Sequence, residues 1–261
     1  MAGRDGQRLS ADSTAIAEHS TRLLGFSYDV AVRTIGIIGG IGPESTIDYY
    51  RLLIDAYRAR VPDGSYPSIV INSIDVAKLL SLAANDLPSL TSYLAVEVER
   101  LAKAGAAFGA LAANTPHIVF DAVQSASAIP LVSIVHAAHD AARRRGLKRL
   151  ALFGTRFTMA GSFYPAVFRD GGAELVTPSV EEQDYIHDKY MTELLKGHFA
   201  DATRERFQRI IARLRDQERI DGAILAGTEL PLLLRNSSIE GVELLDTTRL
   251  HVDAIIDTLL R

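Results

Sequence analysis

The strongest constraint on this chain is that its pattern starts twice. "RTIGIIGGIGPESTIDYY" (33–50) reads as a β-branched strand, a glycine break and a helix, and "KRLALFGTRFTMAGSFY" (148–164) repeats that order. Further on, "FGALAANTPHIVF" (108–120) is matched by "DGAILAGTELPLLL" (221–234). Gly154 follows Gly39 by 115 residues, and Gly227 follows Ala113 by 114. Two independent pairs whose spacings agree within one residue suggest an internal repeat of domain size, against which stands a chance likeness of Gly/Ala-rich strands. The expected fold is α/β: two similar parallel-sheet domains facing each other across a cleft.

The remaining segments fill in both halves. "SIVINSID" (68–75) reads as a second buried strand, "AFGALAAN" (107–114) as a third and "IPLVSIV" (129–135) as a fourth. "PSLTSYLAVEVERLAKAG" (88–105) is an amphipathic helix closed by Gly105, and "HAAHDAARRRG" (136–146) is an Ala-rich, surface-like one. The first helix is expected to be capped by Ser45 or Thr46, with Ile47, Tyr50, Leu53, Ile54 and Tyr57 falling on one face. In the second half, 181–197 and 201–219 read as helices, the latter burying Phe207, Ile210, Ile211 and Leu214. "VELLDTTRLHVDAIIDTLL" (242–260) reads as a strand, a capped turn and a helix that returns to the first half. The expected division is an extension over 1–30, with one helix from Ala15 to Leu24. A first domain of 31–137 plus 247–261 and a second of 138–246 follow.

Composition narrows the chemistry. A net charge of −4 gives no basic footprint, which argues against a nucleic-acid partner. Arg143, Arg144 and Arg145 form a solvated helix end, where cations favour the dipole. There is no cysteine in all 261 residues, so disulfides, thiolate metal sites and thiol catalysis are closed. No apolar run approaches the roughly 20 residues of a membrane span. Asp5, Asp12 and Glu18 make the first 30 residues unlike a secretory signal, so a cytoplasmic protein is expected. The Asn236-Ser-Ser acceptor pattern would matter only after secretion. "GIIGGIG" is not a dinucleotide fingerprint, and no Walker loop is present. His136 and His139, beside Asp140, read as exposed helical histidines rather than a metal centre.

Ligands of open α/β sheets sit outside the carboxyl ends of the strands. Four such ends here, 39–46, 113–117, 155–158 and 227–229, offer backbone N–H groups, small hydroxyls and one amide. That chemistry suits an anion. Gly40, Gly42, Asn114, Thr115, Thr155, Thr158 and Thr228 are therefore the expected substrate-binding residues, for an anion such as a carboxylate or phosphate.

Taken together, the four loops resemble the aspartate/glutamate racemase family of cofactor-independent amino-acid racemases. "TIGIIGGIGPEST" is similar to the family's opening strand and Gly-Gly-x-Gly-Pro loop. "AANTPH" resembles its Cys-Asn-Thr-x-His motif, "LFGTRFT" its middle Thr loop and "AGTELP" its Gly-Cys-Thr-Glu motif. "LLDTTRLHVDA" resembles its closing segment, so the likeness runs from about Arg33 to Arg261 in family order. The resemblance implies a PLP-independent isomerase in which two cysteines flank the substrate α-carbon. Ala113 and Gly227 occupy those two places here, and neither side chain can exchange a proton.

His117, just after Pro116, and Glu229 are the candidate catalytic groups that remain. Each has a competing role: a loop-ordering hydrogen bond for His117, and accepting backbone N–H bonds for Glu229. Asp48, Tyr50, Asp75 and Tyr164 are further pocket groups, with helix-face or capping roles as the simpler account. The expected protein is a racemase-like isomerase, working without cofactor or metal as a homodimer. The alternatives are an inactive binder of an amino acid or dicarboxylate, and a decarboxylase or lyase on the same scaffold.

Overall fold

The computed structural model describes residues 33–169, 171–235 and 237–261. The helix expected at 15–24 and the Asn236 pattern lie outside these residues. The first half runs β1 (Thr34–Gly39), α1 (Pro43–Arg60), β2 (Ile69–Ser73), α2 (Val76–Asn85), α3 (Leu87–Lys103), β3 (Ala106–Leu111), a 3₁₀ turn (Thr115–Val119), α4 (Phe120–Ala126) and β4 (Leu131–Val132). After α5 (Ile134–Arg144) come β5 (Arg149–Gly154), α6 (Arg156–Ala160), α7 (Phe163–Arg169), β6 (Glu174–Val176), α8 (Val180–Thr192), a 3₁₀ turn (Leu194–Lys196), α9 (Asp201–Glu218), β7 (Gly222–Ala226), α10 (Leu230–Leu234), β8 (Glu243–Asp246) and α11 (Thr247–Leu259).

The strands form two parallel sheets, ordered β2-β1-β3-β4 and β6-β5-β7-β8. The two orders are the same order, so the repeat in the sequence is a repeat of topology. Each sheet is covered on both faces, which is why its central strands are apolar throughout rather than alternating. In β1, Ile35 and Ile37 face Tyr49 and Leu53 of α1, while Ile38 faces Leu79 of α2 and Leu94 and Val98 of α3. In β5, Ala151 and Phe153 face Ile186, Phe207 and Ile211, while Leu150 and Leu152 face Ala138, Ala142 and Phe168. Burying one such Ile, Leu or Phe fully is worth roughly 1.5–3 kcal/mol.

The last helix leaves the second half. Asp246 ends β8 and caps α11 by accepting from the Arg249 N–H (3.0 Å). Val252, Ile255 and Ile256 of α11 then pack on Ile35 and Ile37 of β1. His251 pins the helix there: its Nδ1 bonds the Tyr49 hydroxyl (2.8 Å), and its Nε2–H donates to the Val132 carbonyl (2.9 Å). Burial pushes this imidazole down to about 4, keeping it neutral.

Gly42, not Ser45 or Thr46, precedes α1, with Pro43 in its first turn. Ser45 donates to the Gly42 carbonyl (2.8 Å), and Thr46 Oγ1 accepts from the Gly40 N–H (2.8 Å), so both hydroxyls brace the glycine loop. The buried face of α1 carries Ser45, Asp48, Tyr49 and Leu53, whereas Ile47 and Tyr50 are exposed. Polar side chains hold that face because their partners, Arg235 and His251, arrive from far along the chain. β2 is a half-exposed edge strand rather than a buried one. α5 is not surface-like: its alanines 137, 138, 141 and 142 and Ile134 pack on the second sheet, though His136 is exposed. Among the described residues no helix is long and apolar enough to cross a membrane.

Candidate active site

Strands β1, β3, β5 and β7 deliver their carboxyl ends to one place between the halves. There the backbone must turn tightly. Gly40 has φ 82°, and a Cβ on it would stand 2.5 Å from the Ile74 carbonyl oxygen, so only glycine fits. From β3, the Ala112 N–H extends the ladder to Ile38 (2.9 Å), and Ala113 to Thr115 follow directly. From β5, Thr155 opens α6 as its cap, and from β7 Gly227 and Thr228 lead into α10.

These ends enclose a cavity of about 20 Å³, room for about one water molecule. Ala113, Asn114 and Thr115 line it from the first half, and Thr155, Gly227 and Thr228 from the second. Apolar lining comes from Ile41, Val76 and Leu80 of the first half and from Met191 and Leu195 of the second, with the Tyr190 ring against Gly227. Of the expected substrate-binding residues, Gly40, Gly42 and Thr158 are not on the wall. Gly40 and Gly42 flank Ile41, and Thr158 is fully buried behind Thr155, hydroxyl to hydroxyl at 3.3 Å.

The walls are tied to one another. The Thr115 and Thr155 hydroxyls meet at 3.1 Å, one from each half. Asn114 Oδ1 accepts from the Tyr164 hydroxyl (2.6 Å), and its Nδ2 donates to Thr247 Oγ1 (3.3 Å). The amide is thereby engaged at both ends, so Asn114 acts as a strut and Tyr164 as its anchor. Burial pushes the Tyr164 phenol up and keeps it neutral. Outside the cavity, Arg235 grips Asp48 with two bonds (2.6 and 3.3 Å), again joining the halves. Asp75 caps α2 (2.8 Å to the Ala77 N–H), and Tyr50 faces solvent.

The two candidate acid–base groups differ. His117 does not line the cavity. Its Nδ1–H donates to the Ala113 carbonyl (3.0 Å), its Nε2 accepts from the Ile134 N–H (3.3 Å), and its ring stacks on Phe120 at 4.8 Å. Both nitrogens are spent on backbone, and burial with the nearby His251 pushes the group down to about 3. Such an imidazole has no free lone pair for a substrate proton; it orders the loop.

Glu229 is fully buried behind the wall. Its Oε2 accepts from the Thr228 hydroxyl (3.1 Å) and from the Tyr190 hydroxyl, while Oε1 has no partner among the described residues and presses on Gly42. A Cβ at Gly42 would fall 1.8 Å from that oxygen, so this glycine is what admits the carboxyl group. Burial raises the Glu229 pKa, opposed by the bonds from Tyr190 and Thr228.

Sequence reasoning missed Tyr190. A Cβ added to Gly227 would lie 2.5 Å from its Cε2 and 2.9 Å from its hydroxyl, so the ring fills the space a side chain at 227 would need. In sequence, Ile186, Tyr190 and Leu194 recur at helical spacing and read simply as core. Among the described residues, no group of three or more His, Cys, Asp or Glu side chains is placed to hold a metal.

The model of a family described as Asp/Glu/hydantoin racemase matches residues 38–255. The chain is 28% identical over 154 residues to the broad specificity amino-acid racemase RacX of Bacillus subtilis (strain 168), a match spanning 54% of this chain and 63% of that relative, less than two thirds of its length. It is similar to the crystal structure of an aspartate racemase homologue from Pyrococcus horikoshii OT3. That match has a TM-score of 0.73 and 34% identity, and covers 88% of this chain and 100% of the other. Similarity in fold extends to an aspartate racemase of Picrophilus torridus, with TM-score 0.72 and 21% identity over 87% of this chain and 94% of that one.

Proposed function

Because the chain belongs to the Asp/Glu/hydantoin racemase family, we propose that this racemase-like enzyme moves a proton at the α-carbon of an amino acid or related small carboxylic acid, without a cofactor and without the usual cysteine pair. One observation carries the reading. Ala113 and Gly227, which the family resemblance matches to the two thiols, line a single cavity from opposite halves, with the hydroxyls of Thr115, Thr155 and Thr228 beside them.

Proton loss from an α-carbon leaves an electron pair that spreads into the adjacent carboxylate. Donors already in place around that carboxylate stabilise the charge as it develops, most effectively where water is excluded. A cavity of about 20 Å³ is too small for an amino acid, so the halves part to admit substrate, breaking the Thr115–Thr155 contact, and close again over it.

The methyl of Ala113 gives the second reading its support: a face with no proton carrier suits a binder, or a decarboxylase or lyase that needs a donor on one side only. Incubation with a panel of L- and D-amino acids in D₂O, followed by NMR of the α-proton and chiral chromatography, separates these. Exchange supports proton transfer; calorimetric binding with no exchange moves the protein to the binder. The same reading carries a cytoplasmic homodimer, tested by sedimentation and by fractionation of its host cell.

A further inference from the structure

We propose that Tyr190, backed by Glu229, is the proton-transfer group on the Gly227 face of the cavity. The inference rests on the function proposed above and adds the residue that replaces a lost thiol. Among the described residues that line the cavity, Tyr190 alone has a titratable side chain. Its ring takes the space that a side chain on Gly227 would occupy, with the phenol oxygen 2.9 Å from where that Cβ would be. The other candidates are spent: His117 on two backbone groups, Tyr164 on Asn114.

Behind the phenol stands a carboxyl group that accepts its proton in a hydrogen bond. Burial, then the charge of Glu229, pushes the Tyr190 phenol well up, so it rests protonated, while burial raises Glu229 from the ordinary carboxyl range. The pair can act as a relay. The Cα–H bond breaks and its proton passes to the Tyr190 oxygen as the phenol's own proton moves to Glu229 Oε2. The electron pair stays on carbon and drains into the substrate carboxylate. The reverse transfer rebuilds a Cα–H bond, and a solvent deuteron held by the pair enters the product. The cycle begins with Glu229 ionised, so its rate rises with pH through the raised Glu229 pKa. In this scheme Tyr190 touches substrate, and Glu229 is a positioning residue acting through it.

The test compares the wild-type protein with Tyr190→Phe, Glu229→Gln and a variant carrying 3-fluorotyrosine at 190, on an amino acid for which wild type exchanges its α-proton. Loss of a proton-transfer group lowers such rates by about 10²–10⁴. The expected result is at least a hundredfold fall in kcat for Tyr190→Phe, with calorimetric affinity within about threefold, and a flattened pH profile for Glu229→Gln. Fluorotyrosine keeps the shape and makes the phenol more acidic, so it should displace the pH–rate profile, which a purely structural tyrosine would not do. Should Tyr190→Phe fail to fold, the fluorotyrosine profile decides: an unmoved profile overturns the inference. Wild-type exchange that survives intact in Tyr190→Phe overturns it too and leaves the proposed function standing. No exchange by wild type on any amino acid overturns both.

Discussion

Gly227→Ala tests whether the Tyr190 ring occupies the missing side chain's place. Gly227 is not among the left-handed glycines, so its backbone accepts alanine. The obstacle is packing: the new Cβ would meet the ring at 2.5, 2.9 and 3.0 Å. The ring cannot easily yield, being 5% exposed and bonded to Glu229. Overpacking of this kind costs about 1–3 kcal/mol. Against it stands roughly 0.4–1 kcal/mol gained by restricting the unfolded chain. The net expectation is a loss of about 0.5–2 kcal/mol. In a Tyr190→Leu background the obstacle is gone, and the same substitution should stabilise by roughly 0.4–1 kcal/mol. The sign therefore reverses, with a coupling of about 1–3 kcal/mol in the double-mutant cycle. Urea unfolding of the four proteins, followed by far-UV circular dichroism, measures it. Gly227→Ala that stabilises the wild type, or effects that add within about 0.5 kcal/mol, would refute the reasoning.

Other outcomes follow from the same cavity. Thr115→Ala should weaken ligand binding by about 1–2 kcal/mol, read by calorimetry. Thr228→Ala should cost less, because its hydroxyl proton is directed to Glu229; equal losses would count against this arrangement. Ala113→Cys should add inversion to the α-proton exchange, since a thiol there supplies the face that Tyr190 does not; exchange with complete retention, read by chiral chromatography, would count against that arrangement. The side chains of Val76, Leu80, Met191 and Leu195 should favour ligands such as leucine over aspartate in a competition assay. His117 and His251 are held at about 3 and about 4 when folded, below their unfolded value of about 6.5. Their contribution is complete above that value and is lost as pH falls from it toward the folded values, at a slope on the order of 2–3 kcal/mol per pH unit. Urea midpoints unchanged between pH 7 and 5 would contradict it.

The sheets were legible because buried parallel strands declare themselves as short apolar runs, and because the pattern occurs twice. Nothing in a single run of residues reports a partner from the other half. Ile47 and Tyr50 fall on one face by apolar spacing, yet Asp48 and Tyr49 are buried instead, through Arg235 and His251. β2 resembled a core strand because apolarity does not distinguish the edge of a sheet from its centre. At the site, the loops converged as their chemistry implied, with Ala113, Thr115, Thr155, Gly227 and Thr228 around one space. His117 was misplaced because position after a strand says nothing of which backbone groups a ring will meet. Tyr190 escaped notice since it comes from a helix behind the loops, at a spacing indistinguishable from core.

The crossing of α11 from the second sheet to the first also sets an order of events during synthesis. When β4 leaves the ribosome, Ile35, Ile37 and Tyr49 have been translated, but Val252, Ile255 and Ile256, which cover them, have not. The whole second half must emerge first. Its strands pair in the same order as those of the first half, but most of the helical cover on both its faces precedes α11, so the half begun later is the first to close. Until then the earlier half carries an open apolar face, a place for chaperones or for misassociation between growing chains. The link that joins the two halves in the finished protein thus makes the older half wait for the younger.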